Sequence, residues 1–456
     1  MWKTAIVFFL STSIYALQVP LVPPDRDPFY LAPPDYKSAP LGTILRSRPT
    51  PNKLVNICFT YELKRSWQIL YRSQNSFGEP TAIVMTVMEP FNAQPSKVLS
   101  YQTFQDSANI NCSPSYGFQY GAPLSTIASQ LDMRFLVPAL KQGYYVISSD
   151  YEGFSSSFVA GRQSGYAVLD GVRAALKSKG TTGIESSAKV VLWGYSGGSI
   201  ASGWAASLQS TYAPELKQNL LGCALGGFVT NITATAEITD GGFFAGLIPL
   251  ALHGLSNEYQ EFKQVISENV DPQHMEYFKQ GSERCFAGGL NFFRFRSFFQ
   301  GGDRIFPRGF DLRNDKIIGK IIQDNCVCHL NQTFSPQIPI FLYNGLLDEI
   351  VPITGPRHIP KQWCSWGIKS LEFAEDLLTA HVGQQIVGAA AAWTWIENML
   401  NGAKPVEGCV HTQRFNNLYF YPGVKQETKD YFLGFEFSIL DYIIGAKIFD
   451  FGILQR

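Results

Sequence analysis

The fold is decided by one stretch of the sequence, Val190-Val191-Leu192-Trp193-Gly194-Tyr195-Ser196-Gly197-Gly198-Ser199-Ile200. Its first four residues are apolar and predict a buried strand, which stops at a Gly-x-Ser-x-Gly pentapeptide. The residues from Ser199 to Gln209 are rich in Ala, Ser and Leu and predict a helix. Small neighbours let a helix pack closely behind a serine on such a sharp turn, so the context favours a nucleophilic Ser196. The alternative is an ordinary glycine-rich turn with an incidental serine.

The composition indicates a globular protein with unusually few charges. A chain of 456 residues forms one large domain with insertions or two modest domains. Charged residues make up 16%, below the roughly 25% of ordinary soluble domains. Lys+Arg and Asp+Glu balance at 37 each, which gives no electrostatic attraction to nucleic acid. The low charge, together with 34 Phe and 21 Tyr, instead predicts an apolar surface that another part of the chain covers or that binds a partner or ligand.

The N-terminus has the layout of a secretory signal peptide. Lys3 precedes a short, largely apolar run that ends near Ala16, so we expect a signal peptide over residues 1–16. A buried N-terminal strand is the alternative. Two glycosylation acceptors, at Asn231 and Asn331, and eight cysteines fit the same route. No apolar run reaches the ~20 residues that span a bilayer, so we expect a secreted, soluble monomer with no transmembrane segment.

Strands and helices alternate through most of the chain. After a Pro-rich, extended arm at 17–51, eight runs predict strands and four longer patterns predict helices. This alternation predicts an α/β fold, with a mostly parallel sheet flanked by helices. The predicted strands are 67–72, 81–88, 97–104, 144–148, 190–193, 221–225, 338–343 and 370–373, and the predicted helices are 125–141, 163–177, 199–210 and 382–400.

The alternation is interrupted once, by about a hundred residues between Gly226 and Ile338. A structureless loop of that length is improbable inside a compact domain, so we expect an inserted, mainly helical cap at 229–322. The hydrolase-like core would then comprise residues 17–228 and 323–456. Apolar runs in the insertion, such as 241–250 and 292–299, either form the core of the cap or face a substrate or an interface.

A nucleophilic serine needs a base, and the base needs a carboxylate. In α/β-hydrolases the chain order is Ser, then Asp or Glu, then His, each on a loop after a strand. Asp348 follows the predicted strand 338–343 through a Gly-containing turn, and Glu349 is its neighbour and competitor. An Asp in such a turn can also simply cap backbone N–H groups. We favour Asp348 because its shorter side chain comes directly after the turn.

Elimination selects one of the six histidines as the base. His381 lies after the predicted strand 370–373 and just before the helix 382–400, where the base is expected. A lone histidine before a helix is more often structural, but the serine and aspartate already specify this place. The other five precede the aspartate, follow it before any further strand, or come after the last clear helix: His253, His274, His329, His358 and His411.

The oxyanion that forms during acyl transfer needs two backbone N–H donors. Gly197, the residue after the nucleophile, supplies one of them. The second is expected on the loop after an early strand, and Asp106 is a candidate there through its own N–H. We predict no metal site and no cofactor, because this chemistry requires neither.

Several of these motifs together resemble the secreted lipases of Candida yeasts, the family that includes Candida antarctica lipase A. The resemblance extends over nearly the whole mature chain. It implies triacylglycerol hydrolysis at a lipid–water interface, a helical cap after the fifth strand of the family's core sheet and a C-terminal flap. The motifs that carry it are Asn75-Ser76-Phe77-Gly78-Glu79-Pro80, Tyr101-Gln102-Thr103-Phe104-Gln105-Asp106-Ser107, Gly194-Tyr195-Ser196-Gly197-Gly198, Tyr343-Asn344-Gly345-Leu346-Leu347-Asp348 and the His381 segment.

The resemblance also implies roles for particular residues. It supports the Ser196, Asp348 and His381 triad and strengthens Asp106 as the second oxyanion donor. It implies disulfides Cys112–Cys285 and Cys364–Cys409. The state of the other four cysteines stays open, except that Cys223 in an apolar strand is expected to be a buried thiol. Those four are Cys58, Cys223, Cys326 and Cys328.

Two other enzymes and one non-enzyme compete with a secreted lipase. A serine carboxypeptidase uses the same fold, but it needs polar groups that bind a peptide carboxylate, and the Phe-rich insertion favours an acyl chain. A small-ester carboxylesterase would share the whole mechanism. A non-catalytic binding module would have lost part of the triad, and the apparent completeness of the triad argues against it.

Overall fold

The computed structural model describes residues 20–57 and 59–434. The expected signal peptide 1–16, Cys58 and the end of the expected C-terminal flap, 435–456, lie outside the described residues. Within the described part of the chain, no helix has the length and apolar character to cross a membrane.

Ten of the described strands form one mixed sheet, in the order β1-β4-β5-β7-β6-β8-β9-β10-β11-β12. A separate antiparallel pair, β2 with β3, lies near the N-terminus. The strands are β1 (Ile44–Pro49), β2 (Val55–Asn56), β3 (Phe59–Thr60), β4 (Arg65–Gln74), β5 (Pro80–Glu89), β6 (Gln94–Gln102), β7 (Tyr144–Ser149), β8 (Lys189–Tyr195), β9 (Leu220–Gly226), β10 (Ile340–Gly345), β11 (Ser370–Asp376) and β12 (Gly408–Arg414).

The α-helices of the described residues lie between and after these strands. They are α1 (Pro114–Gly117), α2 (Ile127–Lys141), α3 (Gly161–Lys177), α4 (Lys179–Thr182), α5 (Gly197–Tyr212), α6 (Ile232–Thr239), α7 (Leu247–Glu258), α8 (Gln260–Asn269), α9 (Met275–Lys279), α10 (Phe286–Phe293), α11 (Lys316–Asp324), α12 (Thr354–Ser365), α13 (His381–Leu400), α14 (Asn417–Phe420) and α15 (Gln426–Leu433).

The sheet is antiparallel at its first edge and parallel from β7 onward. Strands β1, β4, β5 and β7 pair antiparallel, and every later neighbouring pair, from β7–β6 to β11–β12, is parallel. Parallel strands bring their carboxyl ends to one edge, and ligands bind outside those ends. The predicted α/β-hydrolase fold, a mostly parallel sheet flanked by helices, is confirmed.

Helices cover both faces of the sheet and create two apolar cores. Helices α3 and α5 pack closely on one face, where a Cβ on Gly165 would lie 2.9 Å from the Trp204 backbone. That core continues into the inserted cap. On the other face, α2 and α13 cover the strands, and Ala389–Ala392 of α13 are fully buried against them. Small residues on α13 let this helix approach the sheet closely.

Two strands at the sheet edges did not follow from the sequence. The residues expected to be an extended arm contain β1, which pairs antiparallel with β4. Strand β12 follows α13 and pairs parallel with β11. Both are edge strands with half-exposed side chains, so neither has the apolar run that marks the buried strands.

The insertion between β9 and β10 is a helical layer that comprises α6 to α11. The expected cap boundary at residue 322 falls inside α11, which continues to Asp324. The Phe-rich runs differ in their burial. Phe293 and Phe298 are fully buried in the cap, whereas Phe243 and Phe295 are exposed and in ring contact with each other.

Candidate active site

Ser196 occupies a strained turn between β8 and α5. Its φ of 53° and ψ of −123° are unfavourable for a residue with a side chain, so the surrounding packing must hold it there. The adjacent glycines explain how. A Cβ on Gly194 would lie 2.1 Å from the Gly198 carbonyl oxygen, and one on Gly198 would lie 1.9 Å from the Gln102 carbonyl oxygen. Only glycine fits at both positions, as the Gly-x-Ser-x-Gly spacing predicts.

Three side chains expected to act together lie within hydrogen-bond distance of one another. His381 Nε2 is 2.9 Å from Ser196 Oγ. On the other side of the ring, His381 Nδ1 lies 2.8 Å from Asp348 Oδ2 and 3.0 Å from Oδ1. Each residue follows a different parallel strand: β8, β10 or β11. The shared direction of those strands brings the three residues to one edge of the sheet.

The two candidate carboxylates have different partners. Asp348 is buried and lies within hydrogen-bond distance of the imidazole. Its Oδ1 also accepts the backbone N–H groups of Ile350 at 3.0 Å and Val351 at 2.7 Å. The Glu349 carboxylate instead accepts the backbone N–H of His381. The structure therefore brings Asp348, and not Glu349, to the imidazole ring.

A tyrosine that the sequence analysis did not select supports His381. The Tyr195 hydroxyl donates to the His381 carbonyl oxygen at 2.6 Å, and the two ring centroids are 5.1 Å apart. Together with Glu349, Tyr195 fixes the backbone of His381 at the start of α13. An aromatic residue directly before the serine is the one sequence signal for this contact. At that position the Tyr195 side chain points to the face of the sheet opposite α5.

The described contacts of three other histidines lie elsewhere in the molecule. His253 contacts the Phe278 carbonyl oxygen, His274 pairs with Asp303, and His411 pairs with Glu375 on β11. None of these contacts involves Ser196. The choice of His381 by chain order agrees with the geometry.

Asp106, the expected second oxyanion donor, lies beside the serine in an unusual conformation. Its φ is 46° and its side chain is buried next to Gly197, where a Cβ would lie 1.7 Å from Asp106 Oδ1. That oxygen has no hydrogen-bond partner among the described residues. Burial raises the pKa of Asp106 to about 7, and the nearby His381 opposes this shift.

Two further buried carboxyl groups, those of Asp132 and Glu152, lie close enough to Asp106 for its charge to raise their pKa values, and Asp150 in turn acts on Glu152. Burial raises the pKa of Asp132 to about 8 and that of Asp150 to about 7. It also raises the pKa of Glu152 well above its usual range, with Asp106 as the largest charge contribution. Burial therefore opposes the ionisation of Asp106 and of its neighbours Asp132 and Glu152, which reduces the negative charge beside Ser196.

The cysteines form the two pairs that the resemblance implied. Cys112 bonds to Cys285 and links the loop after β6 to the cap, while Cys364 bonds to Cys409 and joins α12 to β12. Cys223 is a buried free thiol in β9, as expected. Cys326 and Cys328 are also free and contact each other where the chain returns from the cap. Cys58 lies outside the described residues.

The two glycosylation acceptors differ in their surroundings. Asn231 is half-buried, and its Oδ1 accepts the N–H groups of Thr233 and Ala234 at the start of α6. Asn331 is exposed and accepts only the N–H of Thr333. The second acceptor is therefore the more accessible.

An apolar cavity opens from the serine into the cap. A space of about 460 Å³ is lined by Ser196 and Asp106 at one end and by cap helices at the other. A second space, of about 590 Å³, lies deeper in the cap. Four residues line both spaces, so the two are adjacent: Ile232, Ala236, Ile248 and Ala251.

Within the described residues, no group of three or more His, Cys, Asp or Glu side chains is arranged to hold a metal ion.

Comparisons with known proteins agree with this geometry. A family model described as "Secretory lipase" matches residues 118–408. The chain belongs to the secretory lipase family. It is 53% identical to Lipase 1 of Candida albicans, over 97% of this chain and 94% of the relative, and 49% identical to Lipase 2 of that yeast, over 97% and 95%.

Solved structures of the family extend the comparison to the fold. A crystal structure of Candida antarctica lipase A in its closed state matches with a TM-score of 0.77 and 28% identity. The match covers 91% of this chain and 96% of that one. Membership of the secretory lipase family and the resemblance to Candida antarctica lipase A are thus confirmed, and the chain is a serine ester hydrolase.

Proposed function

We propose that this secretory lipase hydrolyses triacylglycerols through an acyl-enzyme formed on Ser196. One observation carries the proposal: Ser196, His381 and Asp348 form a continuous hydrogen-bonded chain at the entrance of an apolar cavity. The names of its relatives support the same activity. The serine and imidazole account for ester cleavage, and the cavity accounts for the acyl chain.

The proposed reaction begins when Ser196 Oγ attacks the ester carbonyl carbon and His381 Nε2 takes its proton. Asp348 stabilises the resulting imidazolium and holds Nδ1 protonated. The carbonyl oxygen becomes an oxyanion, which the N–H groups of Gly197 and Asp106 stabilise. His381 then gives its proton to the leaving alcohol, and the acyl group remains on Ser196. Water repeats the sequence and releases the fatty acid.

We infer that the acyl chain extends from Ser196 through the first cavity into the second. Aliphatic and aromatic side chains form most of the lining of both cavities. Burying a CH₂ group contributes about 0.8 kcal/mol, so a chain long enough to enter the second cavity gains several kcal/mol before ordering costs. The cap, proposed at about 229–322, thus supplies the specificity.

The cavity lining argues against a serine carboxypeptidase. Such an enzyme must bind the carboxylate of a peptide close to its serine. The lining of the cavity at Ser196 contains no Lys or Arg, and Asp106 is its one acidic residue. The guanidinium-bearing Arg313 lines only the deeper cavity and pairs with Glu237.

We further infer that the edge around the site contacts a lipid–water interface. Exposed apolar side chains lie on the loops after β10 and β11, at Leu347 and Leu378, and in the first turn of α13, at Val382. The loop after β12 and helix α14 add exposed aromatic rings, at Phe415 and Phe420. All five side chains follow the carboxyl ends of β10, β11 and β12, and apolar exposure grouped at one edge marks an interaction site.

We also propose that the protein is secreted, monomeric and glycosylated. The secretory description of its family and its two disulfides support secretion into an oxidising compartment. We propose that it acts as a monomer, because the exposed apolar surface at the site is occupied by lipid. Glycosylation is proposed first at the exposed Asn331 and second at the half-buried Asn231.

Activity of the purified protein on several substrates tests the proposal. Emulsified triolein, tributyrin, p-nitrophenyl acetate and a blocked peptide are assayed in parallel with wild type and Ser196→Ala. We expect triolein and tributyrin hydrolysis by the wild type and at least a thousandfold loss in Ser196→Ala, as in other serine hydrolases. Preference for acetate with no triolein cleavage would indicate a small-ester carboxylesterase, and peptide cleavage would indicate a carboxypeptidase.

A further inference from the structure

The oxyanion loop, residues 104–112, is held in a conformation that it would not adopt alone. Asp106 has a φ of 46°, in the left-handed region that is unfavourable for a residue with a side chain. Such a conformation persists only where the surroundings over-determine it. The contacts of its neighbours therefore decide where the backbone of Asp106 lies, and with it the N–H that we propose for the oxyanion hole.

Four independent contacts join this loop to one short segment of the cap, residues 283–286. The buried Ser107 hydroxyl donates to the Arg284 carbonyl oxygen at 2.9 Å, and Asn109 Nδ2 donates to the Glu283 carbonyl oxygen at 3.1 Å. The Cys112–Cys285 disulfide adds a covalent bond. The Phe104 and Phe286 rings pack edge to face with centroids 5.3 Å apart. The contacts involve all four residues of the segment.

The cap segment is itself braced, so it can act as a fixed support. The Arg284 guanidinium donates to Gln280 Oε1 at 2.8 Å and lies 4.0 Å from the centroid of the Phe292 ring. The Cys285 carbonyl oxygen accepts the Gly289 N–H at 2.8 Å at the start of α10. The segment is thus tied to the elements on both sides of it.

Ser107 is the link closest to the reacting groups. It directly follows Asp106, and its Oγ also accepts the backbone N–H of Asn109 at 3.2 Å. One hydroxyl therefore joins the strained turn, the rest of the oxyanion loop and the cap. On the other side, Gln105 is tied to the core through Ser156 at 2.9 Å.

We propose that cap residues 283–286 position the oxyanion hole, with Ser107 as the positioning residue that transmits their hold to Asp106. This inference rests on the proposed hydrolysis at Ser196. It divides the cap into two parts: residues 283–286 stay with the core while substrate enters, and any opening occurs in other helices. The cap is then part of the catalytic geometry as well as a cover over the acyl chain.

The test compares Ser107→Ala with Ser113→Ala. Ser113 is a matched control because its hydroxyl also donates to a backbone carbonyl, that of Ile110 at 2.7 Å, but this bond is local and does not reach the cap. Active sites are titrated with diethyl p-nitrophenyl phosphate, and kcat and KM are measured with soluble p-nitrophenyl butyrate. Misplacing one oxyanion donor lowers kcat per active site about 10- to 100-fold while KM changes less than about twofold. Ser113→Ala keeps the wild-type kcat.

The rate of inactivation by the phosphate provides a second readout, because its phosphoryl oxygen develops charge in the same hole. We expect that rate to fall with kcat in Ser107→Ala. A purely structural role would lower thermal stability and the number of active sites, but would leave kcat per titrated site unchanged. A wild-type kcat and inactivation rate in folded Ser107→Ala would overturn the proposal.

Cleavage of the disulfide after folding keeps the proposal testable if Ser107→Ala does not fold. The Cys364→Ser/Cys409→Ser variant leaves Cys112–Cys285 as the bond to be reduced, and a phosphine then cuts it in the purified enzyme. Reduction should lower kcat per site several-fold without raising KM, and an unchanged kcat would contradict the proposal. If Ser196→Ala still hydrolyses triacylglycerol, the proposed function fails instead, so the two failures are distinguishable.

Discussion

At the scale of single residues, Asp348 and Glu349 show how neighbouring carboxylates can serve different purposes. Asp348 contacts the imidazole of His381, and Glu349 contacts its backbone. Asp348→Asn should lower kcat about 10³- to 10⁴-fold without loss of fold, because an amide cannot hold the required tautomer. Glu349→Gln should retain activity within about tenfold, since an amide oxygen still accepts an N–H. Steady-state kinetics on a soluble ester with folding checked by circular dichroism would test both, and the reverse ranking would assign the carboxylate role to Glu349.

Asp106 gives the stability of the protein a pH dependence of defined sign. Its pKa is about 7 in the folded protein and about 3.9 in an unfolded chain. Between these values the unfolded chain has released the proton and the folded protein has kept it, so stability falls as pH rises and levels off above about 7.

Asp106→Asn cannot ionise and should therefore gain stability relative to wild type as the pH rises from about 4 to about 7. Urea unfolding of both proteins at several pH values measures this difference. A difference that is independent of pH would show that Asp106 is ionised in the folded protein. Asp150, whose pKa does not depend on Asp106, contributes equally to both proteins and cancels. The pKa values of Asp132 and Glu152 should fall when the Asp106 charge is removed, which adds to the difference in the same direction.

Residue identities at the site were more predictable than residue environments. The order Ser, Asp, His and the positions after strands select Ser196, Asp348 and His381 from the sequence, and these side chains lie together in the structure. The supporting contact from Tyr195 and the burial of Glu152 depend on which chain segments pack together. No local sequence pattern encodes that packing, so neither feature could be predicted from the sequence.

At the scale of elements, the strand–turn–helix at Ser196 is the most tightly determined part of the molecule. Gly198→Ala would place a Cβ 1.9 Å from the Gln102 carbonyl oxygen on the adjacent β6. Neither backbone can move without disturbing β6, β8 or α5, so we expect loss of activity together with a large loss of stability. Gly288→Ala is the control, because its Cβ would meet only Arg284 Cβ at 3.9 Å.

Thermal unfolding distinguishes these two glycine variants. Gly198→Ala should unfold at a much lower temperature or fail to accumulate, whereas Gly288→Ala should match or slightly exceed the wild type, since Ala favours helix by up to about 1 kcal/mol. A stable, active Gly198→Ala would mean that the elbow tolerates a side chain and that close packing does not explain its glycines.

The elements themselves followed from the sequence where they are buried. The eight predicted strands correspond to β4–β11, because burial on both faces leaves continuous apolar runs. Strands β1 and β12 lie at the two edges, where one side faces solvent and the pattern weakens. The cap could be predicted as an insertion. Its helices are short and pack on one another, so their boundaries and contacts could not be predicted from the sequence.

At the scale of the whole molecule, the cap and the core together form the path for the acyl chain. Ala251 of α7 lines both cavities, near the place where they adjoin. Ala251→Phe should narrow that passage and lower kcat/KM for dodecanoate or longer p-nitrophenyl esters at least about tenfold, while butyrate is nearly unaffected. A uniform loss across chain lengths would indicate general damage, and no loss would show that the acyl chain takes another path.

The central claim is that triacylglycerol hydrolysis passes through an acyl-enzyme on Ser196, and covalent trapping tests it most directly. The wild-type protein is treated with a p-nitrophenyl alkylphosphonate, and triolein hydrolysis and tryptic peptide masses are followed together. We predict one phosphonate per chain, attached to the peptide that contains Ser196, and loss of hydrolysis in proportion to its formation. Full modification of Ser196 with undiminished triolein hydrolysis, or an adduct on a different residue, would contradict the account.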